Sequence, residues 1–489
     1  MAYGNDLGAA EPEVPIADSY AAYRERRVDH WNGVASRLST FDRANQGYHR
    51  RLREIYRSII PAGQRVLEIG CGAGDLLAAV APAVGVGVDF SPRMVEVAAA
   101  RHTGLRFVVA DAHDLALGEK FDFIILSDLL NDVWDIQRVL EVVHRHAAPS
   151  TRIVLNFYSR LWEAPLRLVK SLGLSRPILP QSWVTLPDVA NLLALADCEI
   201  VKRSVEILWP LSTPLVAPLL NKVMVKLWPI NAAGLTHVVV ARRRPEAAIT
   251  PPSRVSVVVP ARNEEGHIAE IFDRVPEMGS GTELIFVEGH STDATYDAID
   301  REMKRRNRPA ILLRQRGEGK GDAVREGYAR ASGDVLMILD ADLTVAPEDL
   351  PRFYDALVSG KGEFINGVRL VYPMEENAMR FFNLLGNRFF SALFSWLLGQ
   401  PIKDTLCGTK VLWRRDYLRI AANRAFFGDF DPFGDFDLLF GAAKLTLKIV
   451  EIPIRYRQRR YGTTNIRRWR HGMLLLRMSF TAARKLKCV

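Results

Sequence analysis

Three groups of acidic residues stand where chemistry can be done, each directly after a run of apolar residues. Val335–Leu339 leads into Asp340-Ala341-Asp342, Val255–Val259 into Pro260-Ala261-Arg262-Asn263-Glu264-Glu265, and Glu283–Val287 into Glu288-Gly289-His290-Ser291-Thr292-Asp293. Two carboxylates two apart on an extended segment, Asp340 and Asp342, can share one hard divalent ion such as Mg²⁺ or Mn²⁺, with diphosphate oxygens completing its shell. An ion held this way neutralises charge that develops on a leaving diphosphate. Upstream, Arg316-Gly317-Glu318-Gly319-Lys320-Gly321-Asp322 keeps a glycine loop open, from which Lys320 can reach a phosphate or a base edge. Its spacing is not that of a GxxxxGK[ST] loop, and an ordinary flexible turn is the plainer alternative. Asp293 reads equally well as a helix cap ahead of Ala294–Arg305.

A different loop stands in the first half. The run Val66–Ile69 leads into Glu68-Ile69-Gly70-Cys71-Gly72-Ala73-Gly74-Asp75 and then into a helical pattern. Glycines at every second position permit positive φ and let a ligand approach the backbone, while the helix N-terminus offers free N–H groups. A second run, Val84–Val88, ends at Asp89, placed to accept hydrogen bonds from ribose hydroxyls. NAD binding is the alternative, which the spacing GxGxG rather than GxGxxG disfavours. His113, His144 and His146 are candidate bases, with surface or packing histidines as the plainer reading.

The elements that must position these residues alternate. Strands are expected at Arg65–Ile69, Val84–Val88, Phe107–Val109, Phe121–Leu126 and Ile153–Phe157, separated by helices such as Asp75–Val80 and Ile136–His146. After the polar, proline-rich segment Arg242–Arg254, strands are expected at Val255–Val259, Glu283–Val287, Ala310–Leu313 and Val335–Leu339. Alternation of this kind predicts an α/β fold, with parallel sheets covered on both faces. The domains are then 1–241, a linker 242–254, and 255–489.

From about Tyr48 to Asn156 the chain resembles class I S-adenosylmethionine-dependent methyltransferases, whose first motif is an acid followed by GxGxG. The resemblance implies a Rossmann-like methyltransferase fold in which Glu68, Gly70, Gly72 and Gly74 cradle the methionine part of S-adenosylmethionine and Asp89 holds its ribose. It also implies that Asp111 and Ala112 stand at the adenine edge and that Asp128 lines the methyl-transfer pocket.

From about Val255 to Arg470 the chain resembles the family 2 glycosyltransferases of GT-A fold, in particular the dolichyl- or polyprenyl-phosphate sugar synthases. PARNE is similar to the opening P-x-x-N-E motif, and GKGDAVREGYARASGDVLMILDADL to the central block. Asp404-Thr405-Leu406-Cys407-Gly408-Thr409-Lys410 is similar to D-x-x-S/C-G-x-(K/R), and RQRRYGTTN at Arg457–Asn465 to a basic loop that closes over phosphates. The resemblance implies inverting transfer of a sugar from a nucleotide diphosphate sugar to a polyprenyl phosphate. Pro260, Arg262, Asn263, Glu264, Glu288, Lys320, Asp322 and Asp340 would bind the donor, and Asp340 and Asp342 the metal. Arg369, Lys410, Arg457, Arg460 and Asn465 would hold acceptor or donor phosphates. Asp435, in Gly434-Asp435-Phe436-Asp437, stands where relatives with hydroxyl acceptors carry a general base. A soluble enzyme acting on a glycan or protein hydroxyl is therefore the alternative; a helix cap is the plainer reading of Asp435. Glu288-Gly289-His290 departs from the usual Asp-Asp-Gly, and Thr344 stands where mannosyl relatives often carry Gln. For the first half, a non-catalytic cofactor-binding or scaffold module is the alternative.

Bulk properties agree with two globular domains: 489 residues, 48% hydrophobic and 25% charged. Four dispersed cysteines (Cys71, Cys198, Cys407 and Cys488) form no CxxC or Cys/His cluster, which argues against a disulfide framework or structural zinc and for a reducing cytoplasm. Met1–Tyr20 is acidic and lacks the pattern of a signal peptide. Leu208–Ile230 and Phe381–Ile402 are apolar but interrupted, and read as surface-lying or groove-lining helices rather than spans. From Glu451 to Val489 there are eleven Lys/Arg and one Glu. Such a tail suits an anionic partner, here the cytoplasmic membrane surface, to which the protein is expected to attach peripherally. Nucleic acid is not expected, because strand-end acids repel a phosphate backbone.

Overall fold

The computed structural model describes residues 19–36, 38–171, 179–245, 252–306, 308–369, 371, 381–424, 435–456, 461 and 476–487; side chains are described at all of these except 38–45, 169–171, 381–387 and 435. The chain divides into two compact units, Met1–Arg243 and Arg244–Val489.

The first unit contains strands β1 (Arg65–Ile69), β2 (Val84–Asp89), β3 (Arg106–Val109), β4 (Phe121–Ser127), β5 (Ala147–Tyr158), β6 (Cys198–Glu206) and β7 (Thr236–Arg243). Its helices are α1 (Tyr20–Ala35), α2 (Leu38–Ile59), α3 (Asp75–Ala79), α4 (Pro92–Arg101), α5 (Ile136–His146), α6 (Glu163–Ser171), α7 (Leu186–Leu195) and the single turn α8 (Val216–Pro218). The sheet order is β3-β2-β1-β4-β5-β7-β6. Strands β1 to β5 are parallel, and β7 runs antiparallel between β5 and β6. Apolar residues are continuous along the central strands because both faces are covered. Leu67, Ile124, Leu126 and Leu155 point into one core, and Val66, Phe123, Ile125 and Val154 into the other.

The second unit contains β8 (Val255–Ala261), β9 (Thr282–Glu288), β10 (Ala310–Arg314), β11 (Val335–Ile338), β12 (Phe364–Val368), β13 (Lys410–Trp413) and β14 (Ile449–Pro453). Its helices are α9 (Ile268–Arg274), α10 (Thr295–Arg305), α11 (Lys320–Arg330), α12 (Leu350–Val358), α13 (Phe381–Leu398), α14 (Arg414–Ala422) and α15 (Asp435–Lys444). The order is β10-β9-β8-β11-β13-β12-β14. Only β13 opposes its neighbours, β11 and β12. Side chains of α11, α13 and α15 fill one face of this sheet, and those of α9, α10 and α12 the other.

Both sheets are thus mixed, where strand–helix alternation predicts purely parallel ones. The strands that run against their neighbours are β7 and β13, and strands beside them are short or carry polar residues that obscure their pattern. β12 is FINGV, with Asn366 buried and its side-chain amide donating to the Asp404 carbonyl at 2.7 Å. β6 is an edge strand with a mixed burial pattern. Arg242 and Arg243, read as linker, belong to β7; Arg242 is buried on Glu199 at 2.8 Å.

Phe394 anchors α13 in the core, stacked on Phe440 at 5.2 Å and tilted against Phe436 at 5.2 Å. Leu397 and Leu398 are buried beside it. This part of α13 presents a core face, while Phe389 remains exposed. Phe394→Ala is expected to destabilise the second unit by about 3–5 kcal/mol, as measured by urea unfolding.

Candidate active sites

With both faces of each sheet covered, the open edge is where parallel strands end, and the acids noted above gather there. In the first unit, Gly70, Gly72 and Gly74 take φ of +75°, +49° and +76°. A Cβ on Gly74 would stand 2.7 Å from the Phe107 ring, whereas one on Gly72 would meet nothing, so the loop is packed behind and open in front. Asp89 fixes its crest: one carboxylate oxygen accepts from the Gly72 N–H at 2.9 Å and the other from the Ser91 N–H at 2.9 Å. Burial pushes the Asp89 carboxyl up to about 6 against those hydrogen bonds. Glu68 is buried, one of its carboxylate oxygens has no hydrogen-bond partner, and burial holds its carboxyl well above the usual range. An orphaned buried oxygen beneath an open glycine crest fits the amino-acid end of a ligand such as S-adenosylmethionine.

Asp128 follows β4 with φ +54° and is held by the Tyr48 hydroxyl at 2.7 Å and the Asn156 side-chain amide at 2.5 Å. Burial pushes its carboxyl up to about 6. Tyr56 donates to the Asn156 side-chain oxygen at 2.7 Å, which completes a buried chain of polar groups. Asp111 is held on protein donors: the Tyr20 hydroxyl at 2.5 Å, Arg24 Nε at 3.1 Å and the His113 backbone N–H at 3.0 Å. Although burial works the other way, hydrogen bonds from His113 and Tyr20 keep this carboxyl well below the usual range. Ala112 follows it, half-buried against the core. His146 is buried with Nδ1 against the Val142 carbonyl at 2.9 Å, a packing role.

In the second unit the loops after β8 and β9 are tied together. Asn263, at φ +57°, accepts from the Thr292 N–H at 2.7 Å, and its own N–H donates to the Ser291 hydroxyl at 3.1 Å. The Glu264 N–H donates to the Thr295 hydroxyl at 2.9 Å. Glu264 also holds the buried His267 at 2.9 Å, so it works inside the fold. Asp293 accepts from Thr295 and from the Glu265 N–H, so it joins the two loops as well as starting α10. Glu288 is buried and accepts from the Ser291 N–H at 2.5 Å. Pro260 is half-buried at the end of β8, and Arg262 is exposed beside it.

Asp322 shapes the glycine loop, accepting from the Gly317 N–H at 3.0 Å and from Gln315 at 3.2 Å. The ammonium of Lys320 stands 2.6 Å from Asp340 Oδ1. Gly408 closes on both: a Cβ there would lie 2.0 Å from Asp340 Oδ2 and 2.4 Å from Lys320 Nζ. Three segments far apart in sequence, at 320, 340 and 408, therefore meet at one point. Asp342 is oriented by Thr344, whose hydroxyl donates to it at 2.8 Å and whose N–H does so at 3.1 Å. A cationic group already seated on Asp340, with a second oriented carboxylate two residues on, fits a site for a divalent ion and a diphosphate.

Residues 256–419 match the family model described as glycosyl transferase family 2, and residues 66–150 match a methyltransferase domain model. The chain is 28% identical over 227 residues to the glycosyltransferase AglJ of Haloferax volcanii, covering 46% of this chain and 70% of that protein. It is 35% identical over 107 residues to the dolichol-phosphate mannosyltransferase of Saccharomyces cerevisiae, covering 21% of this chain and 40% of the yeast protein. To the undecaprenyl-phosphate 4-deoxy-4-formamido-L-arabinose transferase of Edwardsiella ictaluri it is 25% identical over 214 residues, 42% of this chain and 61% of that protein. Two transferase domains are fused in this chain. The N-terminal half carries the methyltransferase domain and the C-terminal half the family 2 glycosyltransferase domain.

The remaining acceptor residues take varied places in the glycosyltransferase domain. Arg369 makes a bidentate pair with the fully buried Asp404, at 2.7 and 2.8 Å, and lies over the Tyr456 ring at 5.1 Å. Lys410 is fully buried, its ammonium on the Cys407 carbonyl, where it braces the 404–409 loop from inside. Asp435 begins α15, in the first turn rather than before it. The side chain of Asp435, and Arg457, Arg460 and Asn465 entirely, lie outside the described residues. Part of the basic tail packs inward: Met478 and Ala482 join the core, and Lys487 lies over Trp396 at 5.9 Å. Among the described residues no helix is long and apolar enough to cross a membrane.

Sequence reasoning missed α1, which lies over the strand ends of the methyltransferase domain. Besides Tyr20 and Arg24 on Asp111, Asn32 accepts from the Ser91 hydroxyl at 2.7 Å and Trp31 donates to Asp132 at 3.0 Å. Arg27 pairs with Asp132 and donates to the Pro180 carbonyl at 2.5 Å. The available signal was the spacing of Tyr20, Tyr23, Arg27 and Trp31, which places one aromatic and cationic stripe along a helix.

Two outcomes are expected. Gly74→Ala, strained by its φ and by Phe107, should abolish S-adenosylmethionine binding in calorimetry while the fold persists by circular dichroism. If a ribose hydroxyl donates to ionised Asp89, a bound ligand favours the ionised form. Affinity should then fall as pH drops through about 6, by about tenfold between pH 7.5 and pH 5.

Proposed function

We propose that the glycosyltransferase domain transfers a sugar from a nucleotide diphosphate sugar to a polyprenyl phosphate with inversion. The methyltransferase domain, in this reading, transfers a methyl group from S-adenosylmethionine. The observation that carries the first reaction is the meeting of Lys320, Asp340 and Gly408, which concentrates charge at one strand end. The acceptor class rests on two relatives, which are named as acting on dolichol phosphate and undecaprenyl phosphate.

The donor lies over Pro260, Asn263 and Glu288, with its diphosphate toward Asp340, Asp342 and Lys320. A phosphate oxygen of the acceptor attacks the anomeric carbon from the face opposite the diphosphate. The carbon–oxygen bond to the diphosphate breaks, and the electron pair leaves on that oxygen. Lys320 moves from Asp340 to the diphosphate and offsets its charge. A divalent ion, when bound to Asp340 and Asp342, supplies Lewis-acid neutralisation of the same charge. An anionic acceptor needs little deprotonation, so Asp435 orients rather than acts as a base. Arg369 and Lys410 act through the loop that they brace, and Arg457, Arg460 and Asn465 close over the phosphates.

In the methyltransferase domain, Glu68 and the loop Gly70–Gly74 hold the amino-acid end and Asp89 the ribose. S-adenosylmethionine supplies an activated methyl group when bound. Asp128, fixed by Tyr48 and Asn156, lines the place where an acceptor is oriented in line with that group. Fusion in one chain fits a common glycolipid pathway for both reactions.

The test is transfer of radiolabelled nucleotide sugars to polyprenyl phosphate, with Mg²⁺ or Mn²⁺ and then with EDTA. Label is expected to enter the organic phase, to stop doing so with EDTA, and to fall by about 10²-fold in Asp342→Ala. Label on a water-soluble glycan instead would overturn the lipid acceptor and return Asp435 to the role of base.

A further inference from the structure

We infer that the connection between β6 and β7 of the first unit is a surface that seats on an anionic lipid bilayer. The choice of a lipid partner rests on the polyprenyl-phosphate reading; the surface itself does not. Leu211, Leu215, Leu219, Val223, Leu227 and Trp228 are all exposed, Leu215 at 87% and Trp228 at 85%. Single exposed apolar residues are ordinary, but six in under twenty positions of one segment exceed that scatter.

The segment is not merely loose. Its inner side is built: Ala217 and Val225 are buried, and buried Asn221 accepts from the Leu208 and Trp209 N–H groups, both at 2.8 Å. Asn221 also donates to the Trp209 carbonyl at 2.6 Å, while Lys226 pairs inward with Glu206. Leu215 sits at φ +63°, a conformation that glycine holds without cost and leucine does not. A leucine kept there with its side chain in solvent is spending stability on what it presents outward.

Charge narrows the lipid to an anionic one. Between Ile207 and Leu235 there is no Asp or Glu, and Lys222 is half-exposed on the segment, 3.6 Å from Glu54 of α2. The adjoining start of α6 is tied to it by the Trp162 indole N–H, donated to the Ala233 carbonyl at 2.9 Å. That region adds exposed Leu161 and Leu168 together with Arg160 and Arg167, against the single Glu163. Exposed leucine and tryptophan with cations at the margin match an interfacial surface, the apolar groups entering the acyl boundary and the cations meeting lipid phosphates.

The experiment uses the full chain in a Cys488→Ser background, in which the remaining cysteines are buried, with Leu215→Cys carrying an environment-sensitive fluorophore. Vesicles are phosphatidylcholine alone or with one third phosphatidylglycerol. A blue shift and quenching by brominated lipid, stronger with phosphatidylglycerol, are expected. The pair Leu215→Glu and Trp228→Glu should lower the vesicle-bound fraction by at least about tenfold, with S-adenosylmethionine binding unchanged. A probe that stays aqueous while the protein floats with vesicles would overturn the inference, placing attachment elsewhere and leaving the polyprenyl-phosphate reading intact. Conversion of a dimer to a monomer by the same two substitutions, seen by light scattering, would overturn it too, because the patch would then be a contact between copies. Probe insertion without label transfer to lipid would uphold the surface while sinking the polyprenyl-phosphate reading.

Discussion

Backbone N–H groups donated to carboxylates at the strand ends and in the first turns beyond them hold both loop clusters together. Asp89 grips the N–H groups of Gly72 and Ser91 and Glu288 that of Ser291, while Asp322 in the first turn of α11 grips that of Gly317 and Asp293 before α10 that of Glu265. A loop beyond a parallel strand has no ladder to satisfy its N–H groups, and an acid at the strand end satisfies them while setting the loop's course. The arrangement commits each acid first to the shape of its loop. Removing such an acid would therefore disturb the site's geometry before it disturbed any contact with a ligand.

Electrostatic balance in the glycosyltransferase domain follows from the same economy. Lys320 neutralises Asp340 at the open end, while Arg369 neutralises Asp404 in the interior, where neither charge alone would survive burial. The two pairs differ in exposure. Lys320 and Asp340 are each about a quarter exposed, whereas Asp404 is fully buried and fixed. The second pair suits the architecture of the 404–409 loop that brings Gly408 against Asp340.

The methyltransferase domain carries its own cover. Helix α1 brings aromatic and cationic side chains across the ends of several strands and engages Asp111, Ser91 and Asp132, each on a different loop. Asp111 is satisfied by Tyr20 and Arg24 of α1 together with His113, so the helix and the loop after β3 hold each other in place.

The strand-end acids, the glycine loops and the α/β alternation were legible because each is local: a glycine's φ, a carboxylate two residues from another, and an apolar run of strand length all declare themselves within a few residues. The antiparallel course of β7 and β13, the role of α1, and the inward placement of Arg369 and Lys410 were not legible. Each depends on a partner far along the chain: Arg369 on Asp404, Lys410 on the Cys407 loop, Tyr20 on Asp111. Residue type alone cannot say whether a cation faces a substrate phosphate or a buried carboxylate, since both satisfy it equally well. Sequence determined which chemical groups stand at the strand ends; tertiary structure decided which of them face a ligand, because burial and long-range pairing are properties of the packed chain.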